Sequence, residues 1–190
     1  MSTRSTGIRR IKAGEIGFLR RPREADRAEW CRLRRRSGRF LARWEPRRNK
    51  AIGSPKEFDS CLAANRSRRN ERYLLCRNTD KRIVGQVSIM MIERGPFQNA
   101  ILGYWIGKPF ARKGWGKELV TLAIRRAFED LDLQRLEANI LPSNKASRSL
   151  VDSLGFRNEG YSIGYLEIDG KRRDHERWAL LRKEWAGGTR

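Results

Sequence analysis

The stretch GYWIGKPFARKGWGKELV, residues 103–120, reads as a strand that runs through a basic, glycine-bearing turn into a helix. That geometry makes a phosphate cradle. Gly114 and Gly116 lack a Cβ, so backbone N–H groups can approach an anion closely, and the unbonded N–H groups and dipole of the following helix add positive potential. Arg112, Lys113 and Lys117 place full charges beside them. The spacing departs from the common nucleotide motifs. Leu119 stands where a dinucleotide fingerprint would have its third glycine, and Gly116-Lys117 is followed by Glu118 rather than Ser or Thr. A tightly packed helix start would also use two glycines, so the surroundings decide between the readings.

Downstream, Leu119, Val120, Ala123, Ile124, Ala127 and Phe128 recur with helical period, and Glu118, Thr121, Arg125 and Glu129 fall on the other side. Residues 135–141 read as a buried strand stopped by Pro142. Ser143 or Asn144 can cap a short helix through Leu154, with Ala146, Leu150, Val151 and Leu154 inward and Gly155 at its stop. Residues 161–168 and 173–181 pair as a hairpin around Asp169-Gly170.

Upstream, residues 72–77, 83–93 and 100–107 form an antiparallel meander. Ser54, with Pro55 behind it and Glu57 three positions on, marks a capping box. Residues 23–36 are helical, closed by the cations Arg34, Arg35 and Arg36, and residues 15–20 form a first strand. Phe40-Leu41-Ala42-Arg43-Trp44-Glu45-Pro46 is too apolar for an idle loop; it covers a pocket or packs. The expected organisation is a flexible basic tail over residues 1–14, a single domain over 15–185 and a short C-terminal tail over 186–190.

No run of about eighteen apolar residues and no export signal is present, so a cytoplasmic protein without membrane contact is expected. Cys31, Cys61 and Cys76 are odd in number and scattered, which suits reduced thiols. His175 is the only histidine, which argues against a zinc site or a cysteine nucleophile. The net charge of +21 is uneven: residues 1–50 hold 17 basic and 5 acidic residues, and residues 151–190 hold 8 and 7. Such a field attracts polyanions, RNA first among them, although the same arginines also suit a merely solvated face.

With these elements in order, the chain resembles the GNAT acetyltransferases, and within them the RimJ and RimL type that acetylate the N-termini of ribosomal proteins. The motifs that carry the likeness are Trp44-Glu45-Pro46, Gly114-Trp115-Gly116, Asn144 with Ser147, Leu154-Gly155-Phe156, and residues 165–175 with Asp169-Gly170 and Asp174-His175. The resemblance implies a mixed α/β fold: a mostly antiparallel sheet of about seven strands, flanked by about four helices and splayed between the fourth and fifth strands. It implies acetyl-CoA as co-substrate and no metal. Backbone groups of Arg112, Lys113, Gly114, Trp115, Gly116 and Lys117 would bind the pyrophosphate. Trp105, Ile106 and Gly107 would bind the pantetheine, Asn144 the coenzyme arm, and Ser147 would lie near the sulfur. Ala111 departs from the family, where many relatives open this turn with Gln or Arg.

Acyl transfer from a thioester to an amine needs a neutral amine, a polarised carbonyl and a proton for the leaving thiolate. An α-amine titrates near 7.7 to 8 and a lysine near 10.4, so choosing the former avoids roughly 3.5 kcal/mol of deprotonation cost. The expected catalytic residues are Glu137 as a base, on the alternating strand Leu136-Glu137-Ala138, and Ser147 as an acid. Trp44, Glu45 and Tyr104 are expected on the acceptor side, with Glu45 a second base or a clamp for an amine and Tyr104 able to share the proton of Ser147 or simply to pack. His175, Asp169 and Asp174 read as hairpin residues. The expected function is acetylation of a protein N-terminal α-amine, most suitably that of a ribosomal protein, with ribosomal RNA contacted through residues 1–50, by a monomer or homodimer. An RNA-binding assembly factor with lost catalysis and a small-molecule amine acetyltransferase are the alternatives.

Overall fold

The computed structural model describes residues 10–46 and 51–185. One eight-stranded sheet runs through them, in the order β1-β2-β3-β4-β5-β6-β8-β7. Its strands are β1 (Lys12–Ala13), β2 (Gly17–Arg20), β3 (Glu71–Arg77), β4 (Ile83–Glu93), β5 (Asn99–Ile106), β6 (Arg135–Ile140), β7 (Arg157–Ile168) and β8 (Lys171–Leu181). Four α-helices flank it: α1 (Arg27–Leu41), α2 (Pro55–Ala64), α3 (Trp115–Arg125) and α4 (Lys145–Asp152). Every neighbouring pair is antiparallel except β5 and β6.

That exception shapes the molecule. The parallel pairing covers only Asn99 with Arg135, Ala100 with Leu136 and Ile101 with Glu137. Beyond this rung β5 continues to Ile106 and β6 to Ile140 without bonding to each other, so the sheet opens where the fourth and fifth strands were expected to part.

Alternation along the strands sorts the core into two layers. Ala100 and Leu102 of β5, with Leu136, Ala138 and Ile140 of β6, pack under α3 and α4. Trp105 points to the opposite layer, with Trp30, Leu33 and Leu41 of α1 and Phe58 and Cys61 of α2. The three cysteines are buried thiols in this second layer, the Sγ of Cys61 donating to Gln86 Oε1 at 3.2 Å. At Asp169-Gly170 both residues have positive φ, 52° and 73°, as a two-residue hairpin turn between β7 and β8 requires.

Several expectations change. The sheet has eight strands rather than seven because Lys12 and Ala13 pair with Leu19 and Phe18, so part of the expected tail is ordered; residues 1–9 and 186–190 lie outside the described residues. Helix α1 runs on to Leu41, and the aromatic segment continues it as a 3-10 turn over Ala42–Trp44. Ala146 is exposed rather than inward, because α4 buries only its Val151 side deeply. Glu118 does not face solvent: its Oε1 accepts the N–H groups of Ile16 at 3.1 Å and Gly17 at 3.0 Å, tying α3 to the β1–β2 turn. Ser54 caps α2 by accepting from Glu57 N–H, but the Glu57 carboxylate accepts from Gly53 N–H and Arg34 instead of closing the box.

Arg34 was expected as a cation at a helix end, and it sits mid-helix at 2% exposure. Its guanidinium makes a fork to Glu45, at 3.0 and 2.7 Å, reaches Glu57 at 2.9 Å and lies 4.8 Å over the ring of Trp105. Burial opposes its charge, and the two carboxylates outweigh burial, holding its pKa above the ordinary guanidinium value. Removing one partner of such a network leaves buried charge without compensation. Arg34→Ala should therefore destabilise the fold by about 3–5 kcal/mol, lowering the melting temperature by about 6–20 °C, while Arg36→Ala on the exposed face shifts it by about 2 °C or less. Thermal unfolding with equal shifts for the two variants would remove the network from the account.

Candidate active site

The free edge of β5 is the first component. Gly107 N–H donates to Val84 O of β4 at 2.9 Å, and a Cβ on Gly85 would lie 2.4 Å from Trp105 O, so both Trp105 and Gly107 turn their backbone groups toward β4. Successive residues of a strand point their N–H and C=O to opposite sides, which leaves those of Ile106, and by the same alternation Tyr104, on the gap toward β6. Of the three residues expected to line this edge, Ile106 presents its backbone. Trp105 instead packs its side chain beneath Arg34, 6.0 Å from Trp30.

The turn after β5 is the second. A 3-10 segment, Lys108–Phe110, is held by Ser37 Oγ accepting Lys108 N–H at 3.0 Å. The chain then takes positive φ at Arg112 (59°) and Gly114 (80°) before α3 begins. The first helical bond is Glu118 N–H to Gly114 O, and among the described residues the N–H groups of residues 112–117 have no acceptor. A Cβ on Gly114 would meet nothing within 4 Å, whereas one on Gly116 would come within 3.2 Å of Leu150. Gly114 thus borders open space, and Gly116 lets α4 approach. The side chains of Arg112, Lys113 and Lys117 make no hydrogen bond or ion pair among the described residues, and all three are exposed. Trp115 contributes its backbone; its ring packs edge-on against Phe110 at 6.4 Å.

The third component crosses the gap. Tyr104 Oη and Ser147 Oγ are 2.6 Å apart. Asn144 caps α4, its Oδ1 accepting Ser147 N–H at 3.2 Å, so the asparagine expected to hold the coenzyme arm also orients the serine. Burial pushes the Tyr104 hydroxyl up to about 12, against the opposing effect of its bond to Ser147. It carries its proton at any physiological pH. Behind α4, Glu176 is 3% exposed and accepts from Arg148 Nε at 2.8 Å and Trp178 Nε1 at 2.9 Å. Arg148 follows Ser147, so this buried carboxylate fixes the helix that carries the serine.

The expected base is placed differently. Glu137 sits on the last paired rung, on the sheet face opposite Ser147, where its Oε1 accepts from Arg135 Nε at 2.9 Å and Asn99 Nδ2 at 3.1 Å. The two expected catalytic residues are not brought together. Glu45 is likewise held by Arg34, with Trp44 beside it under Arg43 at 5.7 Å. The face of Glu137 also carries groups that the sequence reading assigned to the hairpin or passed over. Asn139 Nδ2 donates to Tyr165 Oη at 3.0 Å, and the Tyr165 ring lies 5.2 Å from His175. His175 Nδ1 lies 3.0 Å from Arg173 O, an acceptor, so Nδ1 carries the proton and Nε2 the lone pair. Burial lowers its pKa below 6.5. Only pairing across strands distant in sequence could have found this cluster.

Among the described residues no group of three or more His, Cys, Asp and Glu side chains is placed to hold a metal, and no helix is long and apolar enough to cross a membrane. Residues 18–157 match the family model of the acetyltransferase (GNAT) domain. The chain belongs to the GNAT acetyltransferases. It is 35% identical over 153 residues to the ribosomal protein uS5-alanine N-acetyltransferase of Escherichia coli (strain K12), covering 78% of this chain and 79% of that one. Mycobacterium smegmatis RimJ, solved in complex with CoA-disulfide, superposes with a TM-score of 0.84 at 29% identity, over 90% of this chain and 84% of that one. A ribosomal-protein-S5-alanine acetyltransferase from Vibrio fischeri gives 0.81 at 26%, over 91% and 97%.

As a GNAT enzyme the chain is an acetyl-CoA-dependent N-acetyltransferase. Its residues fit that co-substrate: unbonded N–H groups, three uncompensated cations and the open space at Gly114 suit a diphosphate, and the bare β5 edge suits an amide-bearing arm. The turn makes the cradle testable. Gly114→Glu puts a carboxylate on a left-handed residue that borders the open space suited to a diphosphate, and should weaken CoA binding by on the order of 100-fold in calorimetric titration. An unchanged affinity would refute the assignment.

Proposed function

We propose that this GNAT enzyme acetylates the N-terminal α-amine of a ribosomal protein, with alanine as the first residue, and that residues 15–185 act as one catalytic domain in the cytoplasm. The observation that carries the reading is the Tyr104–Ser147 hydrogen bond beside the open β5 edge, in a chain related at 35% identity to a uS5-alanine acetyltransferase. Acetyl-CoA, when bound, supplies the acetyl group as a thioester. The backbone N–H of Ile106 is placed to polarise a carbonyl in the gap. Tyr104 and Ser147 hold a proton for the departing sulfur, the serine relaying it from the buried phenol.

The two carboxylates singled out as bases, Glu137 and Glu45, are both held by arginines. An α-amine, already partly neutral near pH 7.7, needs less from a base than a lysine near 10.4. The positive field of residues 1–50 would hold the enzyme on ribosomal RNA while the acceptor N-terminus enters.

Incubation with acetyl-CoA and ribosomal subunits, followed by mass-spectrometric mapping, should reveal a new acetyl group on an N-terminal alanine. No new N-terminal acetyl on any ribosomal protein would remove the substrate assignment. With a matching peptide, Tyr104→Phe and Ser147→Ala should each lower kcat/KM by about 10- to 100-fold, and the double variant should lose little more, since both delete one shared bond. Full activity in Tyr104→Phe would reduce that residue to packing. In the wild type, kcat/KM should rise with pH through about 7.7–8.0 as the α-amine loses its proton. It should then stay level through the ordinary tyrosine range, because Tyr104 keeps its proton until pH approaches about 12. A descending limb centred near 10 that persists in Ser147→Ala and vanishes in Tyr104→Phe would contradict the buried acid.

A further inference from the structure

The coenzyme turn has a second side, and there it walls a cavity of about 260 Å³ that the transfer chemistry leaves unused. Leu33, Ile83, Pro109 and Phe110 give this cavity apolar surface. Around them stand Arg32 and Arg36 of α1, Arg77 at the end of β3 and Arg82 just before β4. Glu29 also lines it, but its Oε1 accepts Ile83 N–H at 2.8 Å and lies 3.9 Å from Arg82. Arg77 binds Asp80 through Nε at 2.9 Å and lies 5.7 Å over the Phe110 ring. Arg32 and Arg36 are exposed and form no ion pair among the described residues.

An apolar wall with one aromatic ring, Phe110 under Arg77, beside Arg32 and Arg36, which have no ion pair among the described residues, suits a ligand with one flat apolar part and one anionic part. The charge continues past the cavity. Arg36, Arg39 and Arg43 follow Arg32 at helical spacing, all exposed, so the row extends over about 16 Å. A lone phosphate compound would use only one end of such a row, and a repeating polyanion uses all of it.

We infer that this cavity takes one nucleotide of single-stranded RNA, the base against Leu33, Ile83 and Phe110 and the neighbouring phosphates along Arg32, Arg36 and the row beyond. The inference rests on the reading that the enzyme works on a ribosomal particle, and it names the place where RNA would be held. A single strand is specified because a base must leave its stack to enter.

The test uses the full chain and a fluorescein-labelled 12-residue oligouridylate, titrated by anisotropy at several salt concentrations. Arg32→Glu with Arg36→Glu should weaken binding by at least about tenfold and reduce the slope of log affinity against log salt by about 1.4. Arg66→Glu with Arg68→Glu carries the same charge change on exposed residues at the opposite end of β3, roughly 20 Å away, and should cost less than about threefold. CoA affinity, measured in both variants, should stay at the wild-type value and reports on folding. If the wild type binds no RNA even at low salt, the ribosomal RNA contact fails and the cavity site with it. If it binds and the two double variants behave alike, RNA is held elsewhere and only the cavity is overturned. Displacement of the oligomer by saturating CoA would reassign the cavity to the coenzyme, and equal affinity for a duplex of the same length would overturn insertion of a base.

Discussion

Two strands that stop bonding to each other govern this structure. After Ile101 and Glu137 the β5 and β6 backbones diverge, and the peptide groups that β5 turns toward the gap are left without a strand partner. Within the protein, the gap is flanked by the Tyr104–Ser147 pair, and the exposed edge of Ile106 is left for an incoming amide. The same opening sets the level at which the following turn lies, so the helix start of α3 faces the end of the same cleft. The cleft proposed for a long, bent co-substrate thus follows from the parting of two neighbouring strands within one eight-stranded sheet.

Holding a sheet open requires that its walls be stiff, and buried charge does this on both faces. On the α1 side, Arg34 joins Glu45 and Glu57 and packs on Trp105, one residue before the exposed edge. On the α4 side, Glu176 gathers Arg148 and Trp178 behind Ser147. Such networks contribute little net stability compared with apolar packing, but they tolerate only one arrangement of their members. Here that arrangement fixes strand β5 and helix α4 against the sheet, and so fixes the two groups that meet at 2.6 Å.

Local rules made much of the architecture legible. Ser54 as a helix cap, the pair Ser143 or Asn144 as the place of the next one, and Asp169-Gly170 as a hairpin turn each depend on a few neighbours in sequence, and each was readable from them. The contacts that escaped are long in sequence. Glu118 bonds to Ile16 and Gly17, Asn139 to Tyr165 and Arg148 to Glu176, and nothing in either partner's immediate surroundings announces the other; for Tyr104, sharing the proton of Ser147 and mere packing had both stood open. Arg34 was misplaced for a related reason: a run of three arginines looks like a solvated helix end until a tertiary partner for one of them is known. For Glu137, alternation alone placed the carboxylate on the correct strand but could not reveal that Arg135, two residues away on the same face, would hold it.

The three thiols buried beneath α1 and α2 have a practical consequence. Burial raises the pKa of Cys31 and takes that of Cys76 to about 11, while Cys61 is turned inward onto Gln86. Only thiolates react readily with disulfide reagents, and only where such reagents can reach them. The native enzyme should therefore react slowly with an aromatic disulfide at neutral pH. In a turnover mixture the colour that develops counts chiefly liberated coenzyme, and a later burst from the protein's own sulfur marks the moment at which the α1 layer comes apart.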